Sequence, residues 1–148
     1  MKNRFYRYAV LIGVLLLFSN LSAQGQSRWQ APILLEGATK VSAEELVDLI
    51  AEFDNIAIID SRPLRAENQF TIDGAVALPG RSMSPLQLTQ AVADKFTPVV
   101  FFCDSIHSSH SYRAAKKGVA LGYANVFWFR GGIQEWADKG LPIAALHK

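Results

Sequence analysis

Short apolar runs alternate along this chain with stretches whose apolar residues recur at helical spacing. Ser42-Ala43-Glu44-Glu45 reads as a capping box, in which the Ser caps a helix start and the Glu three places on reaches back. Leu46, Val47, Ile50 and Phe53 follow on one helical face. Ile56-Ala57-Ile58-Ile59 is a short uninterrupted apolar run and predicts a buried strand, and Gly74 to Pro79 predicts another. Ser84-Pro85 opens a second helix, with Ser84 at the cap, Pro85 at the first helical position, and Leu86, Leu88 and Val92 facing the core. Val99-Val100-Phe101-Phe102 is the clearest buried strand, because β-branched and aromatic residues run without a polar break. After a polar loop from Asp104 to His110, Ser111 to Leu121 predicts a helix, with Tyr112, Ala115 and Val119 on one face and Gly122 as its C-terminal cap. Val126 to Phe129 is a further strand. Gly131-Gly132 turns into a last short helix that contains Trp136 and ends at Gly140-Leu141-Pro142. Strands alternating with helices predict an α/β fold: one central, mostly parallel sheet with helices on both faces.

Two segments precede that pattern. Lys2, Arg4 and Arg7 lead into an apolar run from Tyr8 to Phe18, followed by the small and polar Ser19-Asn20-Leu21-Ser22-Ala23. Basic, apolar, then small is the layout of a secretory signal peptide over residues 1–23, with Ala23 at the cleavage position. The run is short for a membrane span, which needs roughly 20 apolar residues. Retention as an uncleaved N-terminal anchor is the alternative, because Leu21 is a poor residue two places before the cut. The expected destination is the bacterial periplasm, with no membrane contact after cleavage. Residues 24–39 read as a mature N-terminal arm with a short apolar stretch at Pro32 to Leu35, and residues 40–148 as the folded domain.

The chain has 148 residues, half of them hydrophobic, with 15 Lys+Arg against 13 Asp+Glu. That length suits a single domain and that composition excludes a disordered chain. The leader carries three of the basic residues and none of the acidic ones, so the remainder is one charge negative. No argument for nucleic-acid binding survives that subtraction. There is one cysteine, Cys103, which excludes an internal disulfide framework and any multi-cysteine zinc site. An unpaired Cys in an exported protein is either a reactive thiol or a small buried hydrophobe. Its position decides between them: in parallel α/β sheets ligands bind beyond the carboxyl ends of the strands, and Cys103 ends the strongest strand.

At these residues the chain resembles the rhodanese-like domain family. Gly122-Tyr123-Ala124-Asn125-Val126, Gly131-Gly132-Ile133, Trp136 and Gly140-Leu141-Pro142-Ile143 look like the end of such a domain. Ile58-Ile59-Asp60-Ser61-Arg62 looks like its first-strand motif, Ile72-Asp73-Gly74-Ala75 like the following turn, and Cys103 falls at the position of its active cysteine. The resemblance spans about residues 40–145 and rests on several ordered motifs at matching separations. It implies that Cys103 attacks the sulfane sulfur of a donor such as thiosulfate, carries it as a persulfide and passes it to a thiophile. A thiolate requires stabilisation, and the resemblance implies a loop whose backbone N–H groups point inward as an anion nest, backed by a helix N-terminus. It also implies that Asp60 and Arg62 hold loops together by hydrogen bonding.

The loop Cys103-Asp104-Ser105-Ile106-His107-Ser108-Ser109-His110 departs from the family pattern. Asp104 stands where the family usually has Arg. The loop is about two residues longer if Ser111 plays the part of the Ser that opens the helix, and Thr71 replaces an expected His. Ser109 stands where related phosphatases carry their phosphate-clamping Arg, which argues against phosphatase chemistry. Residues 104–109 form the expected substrate-binding loop. His107 and His110 are candidates for a partly protonated support or for a base beside Cys103, against the plainer reading of two solvated histidines. Arg113 is either an auxiliary cation or an exposed helix residue. A metal site on Cys103, His107 and His110 finds no support in ligand count, and the reading requires no cofactor. Two functions of different class follow. One is an exported sulfurtransferase acting on a small sulfur-containing anion or thiol, with a protein sulfur acceptor as a further possible partner. The other is a non-catalytic rhodanese-like binding module for a small anion or a protein.

Overall fold

Two reciprocal capping boxes start the first two helices. Ser42 Oγ accepts from the Glu45 N–H at 3.2 Å while a Glu45 carboxylate oxygen accepts from the Ser42 N–H at 2.7 Å. Ser84 and Gln87 repeat the arrangement at 3.2 and 2.8 Å, with Pro85 at the first helical position. The computed structural model describes residues 29–65 and 70–145. Residues 1–23, where a signal peptide is expected, the start of the expected arm and the last three residues of the chain lie outside the described residues.

In chain order the elements are β1 (Thr39–Val41), α1 (Ala43–Glu52), β2 (Ala57–Asp60), β3 (Phe70–Thr71), β4 (Val76–Ala77), α2 (Pro85–Ala91), β5 (Val99–Phe102), α3 (His110–Ala120), β6 (Val126–Phe129), α4 (Gly132–Asp138) and β7 (Ala144–Ala145). Five strands form one sheet in the order β1-β6-β5-β2-β4, and every pairing is parallel. β5 lies at the centre. Its side chains alternate between two cores: Val99 and Phe101 pack with Leu88, Ala114, Ala115 and Trp128, while Val100 and Phe102 pack with Leu46, Phe129 and Trp136. Thus α2 and α3 cover one face, and α1 and α4 the other. All four β5 residues are fully buried, as an apolar run without alternation requires. No helix among the described residues is long and apolar enough to cross a membrane.

Three sequence expectations need correction. Val47 and Ile50 of α1 are about two-fifths exposed and Leu86 of α2 is largely exposed, so the buried stripes are narrower than the hydropathy pattern implies. The strand expected over residues 74–79 is two residues long, β4. The boundary drawn between residues 39 and 40 falls inside β1, which pairs with β6 and makes the arm part of the sheet. Beyond the last helix, where the pattern gave no element, β7 pairs antiparallel with β3 in a second, two-stranded sheet. Strands of two or three residues carry no periodicity to read.

Gly118 lets α3 lie close against Phe101 of the sheet. A Cβ there would lie 2.9 Å from Cε2 of Phe101, a ring with no exposure. Alanine improves a helix interior by about 1 kcal/mol over glycine. Overpacking a filled core costs ~1–3 kcal/mol, and the Phe101 ring has no free volume into which to retreat. Gly118→Ala is therefore expected to lower stability by roughly 1 kcal/mol, read as a fall in the urea unfolding midpoint. A rise would show that the ring yields freely.

Candidate active site

Cys103 follows β5 at the carboxyl end of the central strand, as the α/β pattern predicts. The backbone around it is tightly tied. The Phe102 carbonyl accepts from the Ser61 N–H at 2.8 Å, the Cys103 carbonyl from the Ile133 N–H at 2.8 Å, and the Asp104 carbonyl from the Gln134 N–H at 3.0 Å. The last two satisfy the free N–H groups at the start of α4. Gly132 makes this docking possible: it has φ +69, and a Cβ there would come within 2.3 Å of the Cys103 carbonyl oxygen.

The Cys103 sulfur is fully buried, not exposed at the rim. Its surroundings are nevertheless polar. Ser111 Oγ is 2.9 Å away, and the carbonyl oxygens of Ser108 and Ser105 lie at 3.6 and 3.7 Å. These carbonyls are placed to accept from a thiol. The expected inward ring of N–H groups is therefore not what faces the sulfur. The loop instead closes a turn on itself: the Ser108 N–H donates to the Ser105 carbonyl at 3.0 Å and the His107 N–H to Ser105 Oγ at 3.3 Å. The helix N-terminus does stand beside the sulfur, since Ser111 belongs to the first turn of α3.

The other candidate residues separate. His107 is exposed and lines, with Ser105, Ile106, Gln134, Glu135 and Lys139, a cleft of about 550 Å³ on the outer side of the loop. It does not partner the sulfur, so a Cys103–His107 nucleophile–base pair is absent here. His110 is the first residue of α3 and not a loop residue. Desolvation lowers its pKa from the ordinary value; Asp104 opposes this, while Arg81, Arg65 and Arg113 reinforce it. Its buried Nδ1 has no hydrogen-bond partner among the described residues. A neutral imidazole is thus favoured there, which corrects the idea of His110 as a cationic support. Asp104 is exposed, and Arg113 is exposed with its Nε donating to Ser109 Oγ at 3.3 Å. Among the described residues no group of three His, Cys, Asp or Glu side chains is placed to hold a metal ion.

Asp60 and Arg62 form a buried bracket beside the loop. Arg62 Nη2 lies 2.6 Å from Asp60 Oδ2, Arg62 Nε donates to both carboxylate oxygens, and Nη2 also donates to the Phe70 carbonyl at 2.6 Å. Thr71, standing where a His was expected, donates its hydroxyl to Asp60 Oδ2 at 2.9 Å. Burial works to lower the Arg62 pKa, but the Asp60 hydrogen bond and charge, with Asp104 and Cys103 behind them, raise it overall. Arg62 is thus a buried guanidinium held by its carboxylate partner.

Sequence reasoning placed Ser111 at the helix start but did not foresee its contact with the sulfur, nor the parts that Trp128 and the arm take. Ser111 is the sulfur's nearest partner, and its signal was its place at a helix start eight residues after the Cys. Trp128 donates its indole N–H to Ser111 Oγ at 3.1 Å. The arm also reaches the loop: the Ala31 N–H donates to the Ile106 carbonyl at 2.7 Å, while Arg130 holds the Ala31 and Pro32 carbonyls at 2.7 and 2.8 Å.

The His110 environment has a sign that can be worked out. A histidine whose pKa is lower folded than unfolded binds fewer protons in the folded state between those two values. Stability is then complete above the unfolded value of about 6.5 and falls as the pH drops through the window below it. Urea unfolding at pH 7.5 and 5.5 is expected to show that loss, and His110→Gln to reduce it. An equal loss in the variant would assign it elsewhere.

Comparison with known proteins identifies the family and the fold. The model of the rhodanese-like domain matches residues 42–139. A sulfurtransferase of Allochromatium vinosum is 31% identical over 106 residues, covering 72% of this chain and 94% of that protein. A polysulfide-sulfur transferase homodimer from Wolinella succinogenes superposes with a TM-score of 0.61 at 23% identity, over 76% of this chain and 80% of that one. A thiosulfate sulfurtransferase from Pseudomonas aeruginosa gives 0.61 at 21% identity, over 72% of this chain but 20% of that longer one. These two structures speak to the fold, whereas the family match and the sequence relative speak to descent. The chain belongs to the rhodanese-like domain family.

Proposed function

We propose that the protein is an exported sulfurtransferase in which Cys103 carries sulfane sulfur. The observation that supports this best is the place of the only cysteine, at the carboxyl end of the central parallel strand and 2.9 Å from a hydroxyl on the first turn of the next helix. In the reaction the thiolate attacks the outer sulfur of a donor such as thiosulfate. A new S–S bond forms to Cys103, the donor's own S–S bond breaks, and sulfite departs with that electron pair. A thiophile then attacks the outer sulfur of the persulfide, and the Cys103 thiolate leaves. Sulfur transfer of this kind consumes no external oxidant or reductant.

The buried sulfur requires the loop over residues 104–109 to move before a donor can reach it. The exposed Asp104 adds a negative charge at the approach of an anionic donor. Both features also favour the second reading, a non-catalytic module that binds a small anion or a protein partner. One experiment separates the two. Incubation with thiosulfate or another sulfane donor, followed by mass spectrometry, is expected to add one sulfur to the Cys103 peptide. Cys103→Ser is expected to abolish transfer to cyanide. A peptide of unchanged mass with every donor would sink the enzyme reading.

Asp104→Arg keeps the backbone that docks α4 and reverses the charge at the approach. It is expected to raise kcat/KM for thiosulfate roughly fivefold, the equivalent of about 1 kcal/mol at an exposed site. The gain should shrink as salt is added. A fall would give Asp104 a positive role in turnover.

A further inference from the structure

Trp128 lies in β6 directly opposite Phe101 and has no exposure. An indole N–H can only donate, and a buried one must find an acceptor. Its acceptor is Ser111 Oγ, 3.1 Å away, and the ring is braced by a tilted contact with Tyr112 at 5.7 Å between centroids. Ser111 is 1% exposed, and among the described residues its hydroxyl has two partners, Trp128 Nε1 and Cys103 Sγ. A serine hydroxyl has one proton to give. Trp128 takes one acceptor position of that oxygen, and the arrangement that leaves no buried proton without an acceptor has the hydroxyl donating to the sulfur. The thiol's own proton is then left to the Ser105 and Ser108 carbonyls.

We propose that Trp128 is a positioning residue for sulfur transfer: its indole N–H fixes the Ser111 hydroxyl so that it donates to Cys103 Sγ. The proposal rests on the sulfurtransferase reading and names a residue outside the active loop on which that chemistry depends. Each time the sulfur gains negative charge, as the attacking thiolate and again as the leaving group, it meets a donor already aimed. A hydroxyl free to rotate would instead also accept from the thiol and hold it protonated.

The test uses the full chain and takes advantage of its single thiol, whose S–H stretching band in the infrared has no competitor. In reduced Trp128→Phe the freed Ser111 oxygen accepts from the thiol, and the band is expected to move to lower frequency. The turnover number for sulfur transfer is expected to fall roughly tenfold, the scale of one hydrogen bond to a charged group, with KM unchanged. In Ser111→Ala background, Trp128→Phe should cause no further loss. A stationary band, or a loss that adds in full to that of Ser111→Ala, overturns the proposal. Should Trp128→Phe fail to fold, the Trp128 indole N–H resonance is followed in Ser111→Ala. It is expected to shift, and Ser111→Thr to restore both resonance and turnover; an unmoved resonance overturns the proposal. The infrared and resonance measurements need no sulfur donor. A parent protein without turnover would therefore refute the sulfurtransferase reading while still deciding whether Trp128 directs the hydroxyl.

Discussion

A parallel strand buried on both faces must deliver its last backbone polar groups to partners that are not water. At the end of β5 this constraint organises the whole rim. The Phe102 carbonyl goes to Ser61 after β2, and the Cys103 and Asp104 carbonyls go to the opening turn of α4. Three elements distant in sequence are thereby fixed around one residue. An unpaired buried carbonyl would cost about 1–3 kcal/mol, so the arrangement is enforced by desolvation as much as by attraction. Gly132 is the steric condition of this docking, since any side chain there would strike the Cys103 carbonyl.

How much of this was legible follows from how each feature is encoded. β5 and β6 were readable to the residue because apolar runs without alternation have few other uses. Two helix starts were readable because Ser-x-x-Glu and Ser-Pro satisfy orphan N–H groups with local chemistry. The position of Cys103 followed from the architecture. Its burial did not, because exposure depends on how a loop closes, and the loop over 104–109 closes through its own backbone. The histidines misled for the same reason. His110 is part of a helix that starts one residue earlier than its pattern implies, and packing rather than sequence spacing sets its charge state. β1, β3 and β7 are too short to carry a pattern, yet they bring the arm and the C-terminal segment onto the domain.

The electrostatics of the rim differ from what the loop sequence alone implies. The acidic residue next to the cysteine points to solvent, while the buried positive charge comes from Arg62, on the segment after β2. That guanidinium is itself fixed by Asp60, with Thr71 completing the carboxylate's partners. A buried pair of this kind loses ~3–5 kcal/mol when one member is removed, because the survivor is left unpaired. The bracket therefore ties the segment after β2 to β3 beside the rim.

The zero exposure of Cys103 places every reagent behind the same door. If opening is quick relative to reaction, the observed rate for each reagent is its intrinsic rate multiplied by the open fraction of molecules. Small reagents need a smaller opening than bulky ones, so reactivity of this thiol is graded by reagent size as well as by chemistry. The arm's hydrogen bond to the Ile106 carbonyl adds a long-range tie to that cover, so the shielding of the thiol draws on residues more than seventy positions away in the chain.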